Sequence, residues 1–293
     1  MKSQHIKKMK TLLNSLLKKR YPKRRSPSSK TTSGFTMIEL LVATIVATII
    51  IVPILTFVVD ILNRDVREQA KTNSEQELQA AVDYIAQDMS QAFYIYSSTD
   101  VGDIKALGND VRPIPLNTGQ DPILVFWKRK YEENVLDVDG CTVSATNDCL
   151  DDTFVYSLVA YYKIDETSTN SVWCDETPCP SRIARVEISD NPTDSLGNYI
   201  NGEEPDNGYN TANIGNRETP ANLVKGAGDF DPVTVLVNYI EEFELNSVED
   251  NRLANIRIQG NGLRRIQTNT DCDNSPTYCP EATAQVGARS ALQ

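Results

Sequence analysis

A single apolar run near the N-terminus constrains this chain more than any other feature. Residues 35–59 form 25 consecutive positions in which Glu39 is the only charged side chain. As an α-helix this run would be about 37 Å long, which exceeds the hydrocarbon core of a bilayer, about 30 Å. The run therefore predicts one membrane-spanning helix. A carboxylate within such a helix is costly in lipid, so the presence of Glu39 in this run calls for a functional explanation.

The segment before the run, residues 1–34, is strongly basic. It contains eleven Lys and Arg residues and no acidic residue, whereas the whole chain of 293 residues has a net charge of −11. Residues 35–293 alone therefore have a formal net charge of −22. Because positive segments that flank a membrane helix remain in the cytoplasm, we expect the N-terminus inside and the C-terminal part outside. The acidic remainder argues against a nucleic-acid-binding protein.

The junction of these two segments reads Gly34-Phe35-Thr36-Met37-Ile38-Glu39-Leu40-Leu41-Val42. It resembles the processing signal of type IV pilins and of the pseudopilins of type II secretion systems. The resemblance implies that a prepilin peptidase cuts between Gly34 and Phe35, removes residues 1–34 as a leader and methylates the new Phe35 amine. It also implies that Glu39 neutralises the N-terminal ammonium of an adjacent subunit in a filament. The alternative is a plain signal anchor.

The apolar run is expected to continue into a long amphipathic helix. Ala43/Ala47 and Thr44/Thr48 are small residues four apart, a spacing that allows helices to approach closely, and Pro53 is expected to kink or locally unwind the helix. After Asp60, an apolar stripe at helical spacing follows: Leu78, Ala81, Val82, Ile85, Met89, Ala92 and Phe93. We predict one helix from residue 35 to about 96, with a membrane half over 35–59 and an amphipathic half over 60–97.

Residues 98–293 are predicted to form a β-rich exported domain. Segments rich in Val, Ile, Tyr and Phe predict strands over 123–128, 153–164, 182–189, 233–245 and 253–259. Asn261-Gly262 predicts a tight hairpin turn into a further strand over 263–267, and the polar residues 190–231 predict a long surface loop. The fold class is therefore α+β. The resemblance implies a pilin-like arrangement, in which the long helix packs on an antiparallel sheet with disulfide-bonded loops.

The cysteines predict disulfides rather than a metal site. Their even number, in the part expected outside the membrane, favours disulfides, although six cysteines allow fifteen connectivities. No Cys-x-x-Cys spacing is present and no His lies near them, which disfavours zinc. Proximity in the sequence favours three short loops, closed by Cys141–Cys149, Cys174–Cys179 and Cys272–Cys279.

The residue types needed for common catalytic sites are missing. The only His is His5, in the basic segment, so residues 35–293 contain no Ser-His or Cys-His pair. Gly226-Ala227-Gly228 lacks the spacing and the Lys of a phosphate-binding loop. We therefore expect neither an enzyme nor a cofactor. One acidic cluster could bind calcium, and the alternative interpretation is a solvated surface. Its members are Asp137, Asp139, Asp148, Asp151 and Asp152.

In its length and in the presence of Glu39, the chain resembles the larger minor pseudopilins of the W/J type. Segments 67–71, 75–77, 83–88, 94–96 and 276–280 resemble the pseudopilins of the hormogonium polysaccharide secretion clusters of filamentous cyanobacteria. The resemblance implies a filament subunit in secretion and gliding motility, anchored in the inner membrane. Its implied partners are prepilin peptidase, other pilin or pseudopilin subunits, the inner-membrane assembly platform and an exported polysaccharide. The alternative is a signal-anchored extracytoplasmic binding or adhesion domain that does not polymerise.

Overall fold

The computed structural model describes residues 34–108, 111–114, 120–137, 150–174, 177–194, 198–200, 204–230, 233–268 and 270–288. Helix α1 spans Met37–Ser90, and helix α2 spans Ser98–Ala106. The strands are β1 Ala92–Ile95, β2 Pro122–Asp137, β3 Leu150–Asp165, β4 Ser181–Ser189, β5 Thr234–Glu249, β6 Leu253–Gly260 and β7 Glu281–Gly287. Within these residues, short 3-10 helices lie at Thr211–Ile214, Pro220–Asn222, Leu263–Arg265 and Pro276–Tyr278.

All strands of the described residues join one antiparallel sheet, in which the strand order follows the chain from β1 to β7. Such an order needs only connections between spatial neighbours. The five predicted strand segments lie within β2 to β6, except that Val233 precedes β5, so the α+β class and the antiparallel sheet are confirmed. The chain divides into two compact units, residues 1–59 and 60–293, and the whole sheet belongs to the second.

The sheet is covered on both faces. On β2, Leu124 and Phe126 join the core formed with α1, whereas Val125 and Trp127 join a second core formed with α2 and the polar loop that precedes β5. This division follows from the two-residue period of a strand. The predicted stripe of α1 is confirmed as a core face by five fully or nearly fully buried residues: Leu78, Ala81, Val82, Ile85 and Met89.

The predicted helix end at residue 96 or 97 is wrong. α1 ends at Ser90, and the next residues form β1 against β2. Ala92 and Phe93, placed on one helical face by their spacing, lie in the two different cores, as successive residues of a strand do. Ile95 donates its N–H to the carbonyl of Asn251 at 2.8 Å. The residues from Phe93 onward favour a strand, and they find hydrogen-bond partners on both sides. This pairing therefore outweighs the helical preference that their spacing indicates.

The predicted hairpin at Asn261-Gly262 is also wrong. Gly262 has helical dihedral angles, and the residues after it form the 3-10 helix Leu263–Arg265 rather than a strand. The glycine is explained by packing instead. A Cβ at this position would lie 3.1 Å from Cα of Lys71 and 3.2 Å from the carbonyl oxygen of Ala70, both on α1.

The tight turn of the sheet lies elsewhere, between β5 and β6. Asp250 and Asn251 both have left-handed φ angles, 48° and 56°, and the N–H of Arg252 donates to the carbonyl of Glu249 at 2.9 Å, which closes a tight turn between the two strands. The other partner of β6 is β7, a strand that no sequence pattern predicted. Because β7 consists mainly of small and polar residues, its pairing with β6 rather than its propensity makes it a strand.

The segment expected as a long surface loop, residues 190–231, contributes to the core in its described part. It contains two 3-10 helices, and Tyr209 and Leu223 are buried in the second core. The Asn213 side chain fixes the loop, because it donates to the carbonyl of Val224 at 2.8 Å and accepts its N–H at 2.9 Å. A few apolar anchors within a polar composition therefore order this segment.

Candidate functional site

The predicted cleavage site lies just outside helix α1. Gly34 and Phe35 are not helical, and the Phe35 side chain is 75% exposed. A Cβ at Gly34 would meet no heavy atom within 4 Å, so the described structure does not require glycine at this position. An exposed, non-helical segment is the kind that proteases reach. Residues 1–33 of the predicted leader, with His5, lie outside the described residues.

Thr36 is the residue that caps α1. Its Oγ1 accepts the N–H of Glu39 at 3.3 Å, and its carbonyl accepts the N–H of Leu40 at 3.1 Å. The Thr-x-x-Glu spacing is that of a capping box, in which the Glu carboxylate would return a bond to the Thr36 N–H. That return bond is absent, and within the described residues the Glu39 carboxylate has no hydrogen-bond or ionic partner. Its place in the first helical turn suits the helix dipole and leaves it available to another molecule.

The first half of α1 presents a large, almost entirely apolar surface. Every residue from 34 to 69 is exposed, and the large apolar side chains between Phe35 and Val66 are 44–90% exposed. Water does not tolerate an apolar surface of this extent, which instead requires a bilayer or other apolar helices. By length and composition α1 can cross a membrane. A membrane anchor near the N-terminus is therefore indicated.

Three threonine hydroxyls of this apolar segment are satisfied within the helix. Thr44, Thr48 and Thr56 donate their hydroxyls to carbonyls three residues earlier, at 2.8, 2.8 and 2.9 Å. Such internal bonding is what a lipid-embedded helix requires. Pro53 lies within α1 without interrupting it, so the local unwinding expected at this residue is not observed.

A buried ionic cluster connects α1 with the sheet, and the sequence analysis missed it. Asp88 on α1 accepts hydrogen bonds from Lys128 Nζ on β2 and Arg185 Nε on β4, both at 2.8 Å. Glu187 on β4 pairs with the same two cations, at 2.9 Å from Lys128. Tyr161 on β3 donates its hydroxyl to Asp88 at 2.7 Å. These five side chains, the ionic cluster, join one helix to three strands.

The ionic cluster holds its carboxylates in the charged form. Burial alone would raise the pKa of Asp88, but the hydrogen bond from Arg185 and the charges of Lys128 and Arg185 outweigh burial and lower it. Burial likewise opposes ionisation of Glu187, and the charges of Lys128 and Arg185 lower its pKa. Two cations therefore face two anions, which makes burial of all four tolerable. The available sequence signal was the presence of charged residues within otherwise apolar strands.

Two of the three predicted disulfides are present. Cys174–Cys179 and Cys272–Cys279 are bonded, with Cα–Cα distances of 4.9 and 5.7 Å. Cys141 and Cys149 lie outside the described residues, so the third pair stays a prediction. The bonded pairs close loops that flank β4 and β7, which agrees with the expectation of disulfide-bonded loops.

Of the five acidic residues considered for calcium, the structure describes the side chains of Asp151 and Asp152. The side chains of Asp137, Asp139 and Asp148 lie outside the described residues. Asp152 already accepts hydrogen bonds from the Tyr131 hydroxyl and, at 2.9 Å, from a main-chain N–H. Over the described ranges, no group of three or more His, Cys, Asp or Glu residues is arranged for a metal ion.

No known protein family, curated protein or solved structure matches this chain. Its class is therefore defined by the structure alone: an α+β protein with an exposed apolar N-terminal helix and an antiparallel, disulfide-bonded sheet domain. The functional argument rests on the start of α1 and on its exposed surface.

Proposed function

We propose that this chain is a pilin-like subunit, a minor pilin or pseudopilin that prepilin peptidase cleaves between Gly34 and Phe35. The processed subunit assembles into a type IV pilus-like or type II secretion-like filament. The observation that carries the proposal is the exposed apolar half of α1, which begins shortly after the proposed cleavage site and includes one unpartnered carboxylate, Glu39. The protein acts by assembly rather than by catalysis.

The charge distribution supports a defined order of events. Before cleavage, residues 35–59 span the inner membrane, with the basic leader in the cytoplasm and the acidic domain outside. Cleavage removes eleven positive charges and frees the Phe35 amine. This amine pairs with Glu39 of a neighbouring subunit, because two opposite charges among apolar helices are tolerated when paired and costly when single.

The same features suit helix packing in a filament. Thr44, Thr48 and Thr56 bond their hydroxyls within the helix, whereas the Glu39 carboxylate has no partner among the described residues and requires one from outside. Ala43 and Ala47 provide small side chains at which helices can approach. An inner-membrane assembly platform would drive polymerisation, and the acidic domain would contact other subunits or an exported polysaccharide. The assignment to the W/J type and to the cyanobacterial secretion clusters rests on sequence resemblance.

The first test is the intact mass of the full chain, extracted from membranes of cells with active or inactive prepilin peptidase. With the active peptidase we expect a chain that begins at N-methylated Phe35. Gly34→Leu should abolish processing without disturbing the fold, because the site has open space around it. A chain that keeps residues 1–34 in the presence of active peptidase would instead indicate a signal-anchored binding or adhesion domain.

The second test separates membrane insertion from assembly. Glu39→Ala should be inserted and cleaved but should enter sheared filaments far less than the wild type, because the neighbouring ammonium loses its partner. Asp60→Ala is the matched control, since it removes an exposed carboxylate at the opposite end of the apolar run. Equal recovery of Glu39→Ala and wild type in filaments would contradict the proposed pairing.

A further inference from the structure

An open groove with aromatic side chains lies between α1 and β5. Its volume is about 360 Å³, and the residues that line it include Tyr84 on α1, Trp173 and residues 235–238 of β5. Tyr84 is 48% exposed and Trp173 is 37% exposed, so both rings are accessible. Trp173 directly precedes Cys174, whose disulfide to Cys179 constrains the loop. The groove therefore offers two aromatic rings, one of them next to a covalently closed loop.

The charged side chains at this groove already have partners. Glu77, the one carboxylate found among the described lining residues, forms a bidentate ion pair with Arg265. Arg182 lies 5.7 Å from the centroid of the Trp173 ring, and Arg185 lies 5.9 Å from that of Tyr84. Both arginines are paired with carboxylates. Among the described residues at the groove, a charged ligand would find no unpaired countercharge, which favours a neutral ligand.

Asn238 adds an unmet hydrogen-bond acceptor. Its Oδ1 is buried and has no partner in the structure, although Asn238 lines the groove. The next residue, Tyr239, has a left-handed φ of 60°, and the pairing of β4 with β5 is irregular in this region. A buried acceptor without a donor is unfavourable. This oxygen is buried, so a ligand hydroxyl would reach it only after the Asn238 amide rotates toward the groove.

We propose that this groove binds a neutral carbohydrate. A pyranose ring presents C–H faces that stack on aromatic rings and hydroxyl groups that donate to an amide oxygen, and it has no charge to neutralise. Tyr84 and Trp173 would provide the stacking surfaces, and Asn238, after this rotation, would accept the hydroxyl. The proposal depends on the sheet domain only and holds whether or not the chain polymerises.

The test uses the full chain, purified in a detergent without a sugar headgroup. The chain has two tryptophans, and Trp127 is fully buried, so acrylamide quenching of fluorescence reports mainly on Trp173. Millimolar neutral oligosaccharides of glucose, galactose or mannose should protect Trp173 from quenching, whereas oligogalacturonate and an unrelated neutral peptide should not. Titration calorimetry then gives the affinity of each variant.

Three substitutions locate the site, and a fourth, Phe154→Ala, is the control. Tyr84→Ala and Trp173→Ala should each weaken binding roughly 3- to 10-fold, the loss expected for one aromatic stacking contact. Phe154→Ala, which removes a 49% exposed ring on β3 outside the groove, should leave the affinity unchanged. Asn238→Ala should weaken binding without lowering the free energy of unfolding, because the deleted oxygen has no partner in the protein.

Each other outcome overturns the proposal. If no neutral oligosaccharide of the panel protects Trp173, the groove is not a carbohydrate site. Stronger binding of oligogalacturonate would contradict the charge argument, and protection by the peptide would identify a protein-docking groove instead. Unchanged affinity in both Tyr84→Ala and Trp173→Ala, with unfolding transitions like that of the wild type, would place the sugar elsewhere.

Discussion

Asp88 on α1 and Lys128 on β2 form a buried ion pair of 2.8 Å, in which the two side chains are only 7% and 9% exposed. The apolar stripe of α1 can pack on the sheet in several similar ways, because hydrophobic burial is not directional. A buried carboxylate between two cations tolerates only positions in which all three remain paired. We therefore infer that the ionic cluster fixes the register of α1 on the sheet.

Removing the carboxylate of Asp88 should destabilise the domain severely. Asp88→Asn leaves Lys128 and Arg185 with Glu187 as their only carboxylate in the ionic cluster, and breaking a buried pair in this way costs about 3–5 kcal/mol. Denaturant unfolding of the full chain in detergent measures the loss. Asp83→Asn is the control: Asp83 lies on the exposed face of α1 and should change stability by no more than about 0.5 kcal/mol. Equal effects of the two substitutions would exclude a special role for the ionic cluster.

Stability should decrease in acid because of the same residues. The pKa values of Asp88 and Glu187 are lower in the folded than in the unfolded chain. Their stabilising contribution is thus complete above the ordinary carboxyl range, about pH 4–4.5, and is lost as the pH falls through the folded values. The free energy of unfolding, measured from pH 7 down to about pH 3, should fall less steeply for Asp88→Asn than for the wild type. Parallel curves would refute this assignment.

The two disulfides close short loops and should contribute moderately. For loops closed by residues 5 and 7 apart in sequence, chain entropy predicts about 2 kcal/mol each. Replacing Cys272 and Cys279 together by Ser should lower the free energy of unfolding by that amount, as measured by denaturant titration. The corresponding Cys174/Cys179 double variant should in addition increase acrylamide quenching of Trp173, whose position the loop constrains. No added quenching would show that Trp173 is held by other contacts.

Two glycine-to-alanine substitutions should have opposite signs. Gly262→Ala brings a methyl group to 3.1 Å from Cα of Lys71, so it should destabilise by about 1–3 kcal/mol through overpacking. Gly102→Ala lies within α2 with no atom near the added Cβ, so it should stabilise by about 0.5–1 kcal/mol through helix propensity. The midpoint temperatures of thermal unfolding of both variants, compared with that of the wild type, measure these two effects. A stabilising Gly262→Ala would show that the 3-10 helix can shift away from α1.

The sequence predicted best what depends on neighbours along the chain. The core stripe of α1, five strand segments and two short-range disulfides follow from residue spacing, and the structure confirms them. Prediction from sequence failed where residues distant in the chain pair with a segment and change its secondary structure. Ala92–Ile95 satisfies a helical pattern, yet β2 and Asn251 offer it strand partners that no local pattern includes.

The start of α1 and the groove show the same difference between what the sequence predicts and what it misses. Gly34, Phe35 and Glu39 were singled out from sequence, and the structure places them in an accessible segment and in the first turn of the helix. The groove with Tyr84, Trp173 and Asn238 could not be predicted, because its members come from three separate parts of the chain. Their juxtaposition depends on how α1 lies on the sheet.

The sequence by itself thus determined an apolar N-terminal helix, its amphipathic continuation, a β-rich remainder and the short-range cysteine pairs. These features arise from periodicity and hydrophobicity, which act between residues close in the chain. Only the tertiary structure decided where α1 ends, that β7 is a strand, why residue 262 is glycine, and that Asp88 meets Lys128 and Arg185. Those outcomes depend on steric contact and charge pairing between residues distant in sequence, which no local window contains.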